Sequence, residues 1–201
     1  MTGFILATAN PDKAREISEI LGDAVCLTPR PGGVPPVAET GVTLEDNARL
    51  KALALSEATG SPAIADDTGL EVDALGGAPG VHSARYAGED ASYADNVAKL
   101  AQALAGARGP QARRARFRTV AIAVWPGGDE VVAEGTVEGW IAEGPKGING
   151  FGYDPVFVAD ETGGVTFAEL DSAAKHTVSH RGRAFRALAE ALAWRSDGPV
   201  L

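Results

Sequence analysis

Short apolar runs alternate with amphipathic segments along the first third of the chain, and this alternation limits the choice of folds. Residues 3–8 are bulky and apolar enough for a buried strand, and residues 24–28 form a second such run. Between them, Asn10 and Pro11 are typical of a helix start, and Gly22 is typical of a helix end. An apolar stripe at helical spacing comprises Ala14, Ile17, Ile20 and Leu21. This order predicts an α/β fold.

The rest of the chain continues the mixture of helices and strands and adds an antiparallel hairpin. Thr43 and Asp46 have the spacing of a capping box, which predicts a helix that ends near Gly60. The remaining predicted elements are a strand at 63–65, an irregular segment at 74–88, a helix at 91–105, strands at 114–124 and 130–140 around a turn, a glycine-rich loop at 144–154, a strand at 155–158 and a helix at 180–194. These elements favour a mixed sheet. No long linker interrupts them, so residues 1–201 are predicted to form a single domain.

Composition argues against several classes of protein. The formal net charge of −9 disfavours a general nucleic-acid-binding protein, because phosphate neutralisation requires a basic surface. No apolar run reaches the ~18 residues of a membrane span, and the N-terminus lacks the basic start of a signal peptide. Cys26 is the only cysteine, so no intrachain disulfide forms, which fits a reducing cytoplasm. Because its neighbours are apolar, Cys26 is predicted to lie in the core.

The segment between the first strand and the first helix has the features of a phosphate site. A helix N-terminus presents unpaired N–H groups and a partial positive charge, which suit an anion. Thr8 and Asn10 add side-chain donors there, and Lys13 lies in the first turn. The alternative is that Asn10 only caps the helix and that Lys13 is solvated.

Carboxylates form a second group, with Glu39 in a loop and Asp66 and Asp67 directly after the strand at 63–65. Carboxylates that converge near a polyphosphate usually hold Mg²⁺, and a carboxylate can also activate water. The carboxyl ends of strands are where α/β folds place their sites. The alternative is a simple turn at the two aspartates, which explains less well why an apolar strand ends in two charges.

Aromatic and basic side chains near the C-terminal end form the remaining candidates. Phe151 and Tyr153 lie in a glycine-rich loop, where an aromatic ring stacks on a base or anchors the loop to the core. Lys175 can meet phosphate, while His180 and Arg181 can donate to a carbonyl oxygen. The alternative for the last two is a solvated helix start. However, cations in a first turn oppose the helix dipole, so an anionic or carbonyl partner is expected.

Taken in order, these motifs resemble the inosine triphosphate pyrophosphatase family, also called the dITP/XTP pyrophosphatases. The matches extend along nearly the whole chain, and their number makes the resemblance specific. They are Leu6-Ala7-Thr8-Ala9-Asn10 with Lys13, Glu39-Thr40-Gly41, Asn47 with Lys51-Ala52, Ala63-Ile64-Ala65-Asp66-Asp67-Thr68-Gly69-Leu70, Gly76-Gly77-Ala78-Pro79-Gly80 with Ser83-Ala84-Arg85-Tyr86, Gly150-Phe151-Gly152-Tyr153-Asp154-Pro155, and Ser179-His180-Arg181-Gly182.

The resemblance implies an elongated mixed β-sheet flanked by helices, with two lobes and a central nucleotide cleft. It also implies a role for each matched residue. The triphosphate would be held by Thr8, Ala9, Asn10, Pro11, Asp12, Lys13, Lys51 and Lys175. Mg²⁺ would be held by Glu39 and Asp67, and Asp67 would also accept the proton. The substrate would contact Thr68, and its base would be enclosed by Phe151, Gly152, Tyr153 and Asp154 and read at the purine edge by His180 and Arg181.

The implied activity is Mg²⁺-dependent hydrolysis of non-standard purine nucleoside triphosphates (ITP, dITP, XTP and dXTP) to the monophosphate and pyrophosphate, which clears them from the nucleotide pool. A cytoplasmic homodimer without nucleic-acid or membrane partners is expected. Two alternatives stay open: a related pyrophosphatase acting on pyrimidine or modified nucleotides, and a non-catalytic nucleotide sensor. A sensor has no need of a water-activating carboxylate such as Asp67.

Overall fold

The structure is a computed structural model that describes residues 3–197, with side chains described as far as Arg195. The strands are β1 (Phe4–Leu6), β2 (Leu27–Thr28), β3 (Ala63–Val72), β4 (Pro79–Gly80), β5 (Arg114–Val124), β6 (Glu130–Ile141) and β7 (Phe157–Ala159). The helices are α1 (Pro11–Leu21), α2 (Leu44–Thr59), α3 (Tyr93–Ala103), α4 (Gly109–Ala112), α5 (Ser172–Val178) and α6 (His180–Asp197). Short 3₁₀ helices cover Gly22–Ala24, Asp73–Leu75, Ser83–Arg85, Asp160–Thr162 and Phe167–Glu169.

The strands form one mixed sheet in the order β2-β1-β3-β5-β6-β7, and β4 pairs with β3. β1 runs parallel to β2 and to β3, whereas β4 is antiparallel to β3 and β7 is antiparallel to β6. Parallel neighbours need a crossover connection, which α1 and α2 supply. The predicted α/β fold with a mixed sheet flanked by helices is therefore confirmed.

The chain divides into two compact units. The first comprises the residues up to Asp67, residues 119–135 and those from Arg181 onward. Its core contains apolar side chains of β1, α1, β3, β5 and α6. Their packing removes apolar surface from water, which stabilises the unit. These core residues are Phe4, Leu6, Ile17, Leu21, Val25, Ile64, Ala121, Ala123, Ala184, Phe185, Leu188 and Leu192.

The second unit comprises Thr68–Arg118 and Thr136–His180. It has its own core, built from the later part of β3, the start of β5, the end of β6, β7 and α3. The residues of this core are Leu70, Val72, Leu100, Leu104, Ala115, Phe117, Val137, Ile141, Tyr153, Val156, Phe157, Ala159 and Phe167. β3, β5 and β6 each contribute residues to both units.

The ends of the first two helices lie where the sequence predicts them. Asn10 caps α1, with Pro11 as the first helical residue and Gly22 at the C-cap with φ of +48°. Thr43 and Asp46 form the expected reciprocal capping box at the start of α2. These caps satisfy backbone groups that a helix end otherwise leaves unpaired, so local sequence alone determines them.

β3 is longer than predicted, and this changes the setting of the two aspartates. The prediction of a strand ending at residue 65 is wrong, because Asp66 and Asp67 lie inside β3. β1 pairs with β3 only as far as Ile64, whose carbonyl accepts from the N–H of Ala7 at 2.7 Å. The other neighbour, β5, extends the ladder. The aspartates therefore follow the carboxyl end of β1 rather than the end of their own strand.

Two further expectations differ from the structure. Cys26 is exposed, so its prediction as a core residue is wrong; alternation along an extended segment buries Val25 and turns Cys26 outward. The strand predicted at 155–158 is β7 at Phe157–Ala159, and α5 was not predicted.

Within the described part of the chain, no helix combines the length and apolarity that a bilayer crossing requires.

Candidate active site

The turn between β1 and α1 is built around Asn10. Its Oδ1 accepts from the backbone N–H groups of Asp12 at 2.9 Å and Lys13 at 3.2 Å, while the Asn10 N–H donates to Thr8 Oγ1 at 3.1 Å. Asn10 thus caps α1, as the alternative expects, while its part in holding a triphosphate stays a prediction. Lys13 is not a solvated lysine, because its Nζ lies 3.1 Å from the buried Oδ2 of Asp66. The turn therefore directs one cation toward the aspartates of β3.

Lys51 joins the two carboxylates that the resemblance assigns to a metal. Its Nζ donates to Glu39 Oε1 at 2.9 Å and to Asp67 Oδ1 at 2.8 Å. Burial opposes the positive charge of Lys51, but Asp67, Asp66 and Glu39 outweigh it and raise its pKa. Glu39 and Asp67, distant in sequence, thus converge on one cation.

Asn47 supports this group from the same face of α2, one helical turn before Lys51. It is fully buried. Its Oδ1 accepts from the Gly41 N–H at 2.8 Å, and its Nδ2 lies 3.5 Å from Asp67 Oδ2. A Cβ at Gly41 would lie 2.7 Å from Asn47 Oδ1, so the glycine of Glu39-Thr40-Gly41 permits this close approach. The motif therefore links the loop of Glu39 to α2.

A second group of charges surrounds Asp66. Arg181, at the start of α6, donates to Glu16 Oε2 at 2.6 Å and lies 3.6 Å from Asp66 Oδ2. Both Arg181 and Glu16 are buried. The anionic partner expected for Arg181 is thus present within the protein. Glu16 was not singled out from the sequence, although a carboxylate on the apolar face of α1, beside Ile17, was a usable signal.

Burial and neighbouring charges together shift the pKa values of the adjacent aspartates in opposite directions. Burial alone would raise the pKa of Asp66, but the charges of Lys13 and Arg181 outweigh it and hold that pKa well below its usual range. Burial raises the pKa of Asp67, and Lys51 offsets only part of this effect. Asp66 is therefore the more readily ionised of the two carboxylates and pairs with cations, whereas the raised pKa of Asp67 suits a proton acceptor.

The donor set fits a divalent cation that the protein shares with a bound polyphosphate. Among residues 3–197, no three His, Cys, Asp or Glu side chains are grouped as a complete metal-binding set. Glu39 and Asp67 do offer carboxylate oxygens on either side of a single ammonium group. Mg²⁺ is commonly held by one or two carboxylates together with substrate phosphates and water. The two carboxylates match that requirement.

The second unit contains the aromatic loop and Lys175. Asp154 Oδ2 accepts from the Phe151 N–H at 2.8 Å and from Lys175 Nζ at 2.5 Å. Lys175 Nζ also lies 5.1 Å from the centre of the half-buried Phe151 ring, within the range of a cation–π contact. Gly152 continues the loop with φ of +63°. The loop thus holds Phe151, Asp154 and Lys175 together.

Tyr153 and His180 are held inside the second unit. Tyr153 is buried and its hydroxyl donates to the Ser83 carbonyl at 2.9 Å, so this ring anchors the loop to the core, and its part in enclosing a base stays a prediction. Burial raises its pKa. The His180 ring is buried and stacks on Phe117, with 4.3 Å between ring centres and 9° between planes. Thr68 is half-buried within β3.

Comparison with known proteins agrees with the motifs. Residues 4–191 match the family model described as the Ham1 family. A dITP/XTP pyrophosphatase of Streptococcus pyogenes serotype M1 is 47% identical over 198 residues, which cover 96% of this chain and 60% of that protein. This chain therefore spans about 60% of the length of the curated relatives it matches first.

Solved structures give the same result. A HAM1 protein from Coxiella burnetii superposes with a TM-score of 0.85 at 39% identity, over 96% of this chain and 99% of that one. A nucleoside-triphosphatase / dITP/XTP pyrophosphatase from Mycobacterium abscessus has a TM-score of 0.73 and 43% identity, over 94% and 99% of the two chains. Sequence and fold thus agree over nearly the whole length, and the chain belongs to the Ham1 family.

Proposed function

We propose that this protein hydrolyses non-standard purine nucleoside triphosphates (ITP, dITP, XTP and dXTP) to the monophosphate and pyrophosphate. The observation that carries the proposal is the convergence of Lys51 with Glu39 and Asp67 in a protein of the Ham1 family. Cations beside carboxylates suit a polyphosphate with its metal ion. The names of the Streptococcus and Mycobacterium relatives supply the class of substrate.

The triphosphate would be held by the turn Thr8 to Lys13 together with Lys51 and Lys175. Mg²⁺ held by Glu39 and Asp67 would shield the phosphate charges and polarise the reacting phosphorus. The catalytic contribution of the protein is then mainly positioning and electrostatic stabilisation.

Asp67 would act as the proton acceptor. As water attacks, its oxygen bonds to the α-phosphorus and its proton passes to the Asp67 carboxylate. The bond between the α-phosphorus and the bridging oxygen breaks, and pyrophosphate leaves with that oxygen. The raised pKa of Asp67 favours this role, because a general base works best when its pKa approaches the working pH.

The base would be enclosed by the loop from Phe151 to Asp154, with Thr68 contacting the substrate. Stacking on Phe151 is supported by the partial exposure of its ring. The reading of the purine edge by His180 and Arg181 stays a prediction. Donors there would satisfy the 6-carbonyl of hypoxanthine and xanthine but would face the amino group of adenine, and such mismatches give discrimination of ~10⁴ or more.

Product analysis tests the proposal directly. Purified protein with Mg²⁺ is given dITP, XTP, dGTP and dATP at equal concentration, and the products are separated. We expect monophosphate and pyrophosphate from dITP and XTP, with little from the other two. Equal hydrolysis of all four would contradict purine-edge reading, and no hydrolysis would favour a pyrimidine or modified nucleotide as substrate.

The proposal also includes the state of the protein in the cell, which we propose to be a cytoplasmic homodimer without nucleic-acid partners.

A further inference from the structure

The Lys51 ammonium group lies between the two carboxylates assigned to the metal, and this position has a consequence for the order of binding. Its Nζ is within 2.9 Å of Glu39 and within 2.8 Å of Asp67. The side chain of Lys51 is only 14% exposed, and that of Asp67 only 7%. The lysine therefore already occupies the position between the two carboxylates that a divalent cation needs.

From this geometry we infer that Lys51 competes with the divalent cation for Glu39 and Asp67, so that the cation binds well only when a polyphosphate is present to receive the displaced ammonium group. The inference rests on the proposed function of the site. It goes beyond a phosphate-binding role for Lys51, because it makes metal binding and nucleotide binding depend on each other through one side chain.

The energetic argument follows from burial. A largely buried ammonium group that loses its carboxylates keeps its charge in surroundings that solvate it poorly, which is costly. Displacement by a cation alone leaves Lys51 in that state. Displacement in the presence of a triphosphate gives it new anionic oxygens. Linkage then requires that each ligand strengthens the binding of the other by the same factor.

Mn²⁺ binding to the nucleotide-free protein tests the inference without any turnover. The protein is stripped with EDTA, and free Mn²⁺ is followed by electron paramagnetic resonance during titration. We expect Lys51→Met to bind Mn²⁺ about tenfold more tightly than the wild-type protein or better, since allosteric couplings are typically of this size. Lys146→Met, which removes an exposed lysine and the same charge, should leave the Mn²⁺ affinity unchanged.

A second substitution assigns the gain to this site. Adding Asp67→Asn to Lys51→Met should abolish the tighter binding. If circular dichroism shows that Lys51→Met does not fold, Lys51→Gln serves instead, because it keeps an N–H donor for the carboxylates while removing the charge. Unchanged or weaker Mn²⁺ binding in a folded Lys51 variant would overturn the inference.

The test separates this inference from the proposed function. Tighter Mn²⁺ binding in the Lys51 variant with no hydrolysis of dITP by the wild-type protein would support the competition and reject the activity. Hydrolysis of dITP by the wild-type protein, with no change in Mn²⁺ binding in the Lys51 variant, would support the activity and reject the competition.

Discussion

Asp67 combines a buried carboxylate with a neighbouring cation, and this combination makes it the residue on which turnover should depend most. Asp67→Asn keeps the size of the side chain and an oxygen that accepts from Lys51, but the amide cannot accept a proton from water. We expect hydrolysis of dITP to fall by about 10²-fold or more, as is typical for loss of a general base. Steady-state rates measure this, and near-normal turnover would remove Asp67 from the mechanism.

The raised pKa of Asp67 also gives the stability of the wild-type protein a pH dependence that Asp67→Asn should lack. Ionisation of this group costs more in the folded protein than in the unfolded one. The contribution of Asp67 therefore favours folding at low pH and is lost as pH rises through the folded pKa. In EDTA, lowering the pH through that pKa should raise the unfolding temperature of the wild-type protein relative to that of Asp67→Asn. Thermal unfolding at several pH values measures this, and a wild-type protein that loses stability relative to the variant toward low pH would contradict the shift.

Ser56 is a buried residue whose replacement by alanine should stabilise the protein. It is 2% exposed, and its hydroxyl has no hydrogen-bond partner among the described residues. Ser56→Ala removes an unsatisfied polar group, so we expect the free energy of unfolding to rise by about 1 kcal/mol. Ser18→Ala, at an exposed position inside α1, controls for the better helix propensity of alanine. Equal gains in urea unfolding for both would show that the Ser56 hydroxyl carries no cost.

At the scale of elements, Arg113 fastens the end of α3 to the end of β6. Its guanidinium donates to the carbonyls of Leu104 and Ala107 beyond α3 and to those of Ile141 and Ala142 at the end of β6, at 2.6–3.2 Å. Burial lowers its pKa. The side chain thus satisfies carbonyls at a helix end that has no glycine cap, since Leu104 occupies the C-cap position.

Loss of the four Arg113 hydrogen bonds should destabilise the second unit. Arg113→Met keeps much of the apolar stem but removes donors from four carbonyls, and we expect a loss of about 3 kcal/mol in the free energy of unfolding. Arg108→Met, at an exposed position five residues earlier, should change it by less than about 0.5 kcal/mol. Denaturant unfolding compares the two, and similar losses would mean that the carbonyls find other donors.

At the scale of the whole molecule, charge favours a requirement for a divalent cation. The proposed triphosphate substrate is strongly anionic, the chain has a net charge of −9, and the cations near Asp66 and Asp67 are already paired with carboxylates. We expect EDTA to abolish hydrolysis of dITP and Mg²⁺ to restore it. Full activity in excess EDTA would contradict the assignment of Glu39 and Asp67 to a metal ion.

Much of the local structure was predictable because the interactions that decide it are local. The capping side chains of Asn10 and Thr43 bond to backbone groups two or three residues away, so their positions follow from the sequence alone. The motif order along the chain likewise identified the family. The length of β3 was not predictable, since the partner that extends it, β5, lies about fifty residues later.

The sequence by itself determined the ends of α1 and α2, the mixture of parallel and antiparallel strands, and the family. Only the tertiary structure decided which charges meet: Lys51 with Glu39 and Asp67, Lys13 with Asp66, and Arg181 with Glu16, which is 165 positions away. The physical reason is that ion pairs and pKa shifts depend on distance and burial in space. Spacing along the chain specifies neither distance nor burial. The same sequence was therefore compatible with solvated lysines and with a network of ion pairs, and the structure has the network.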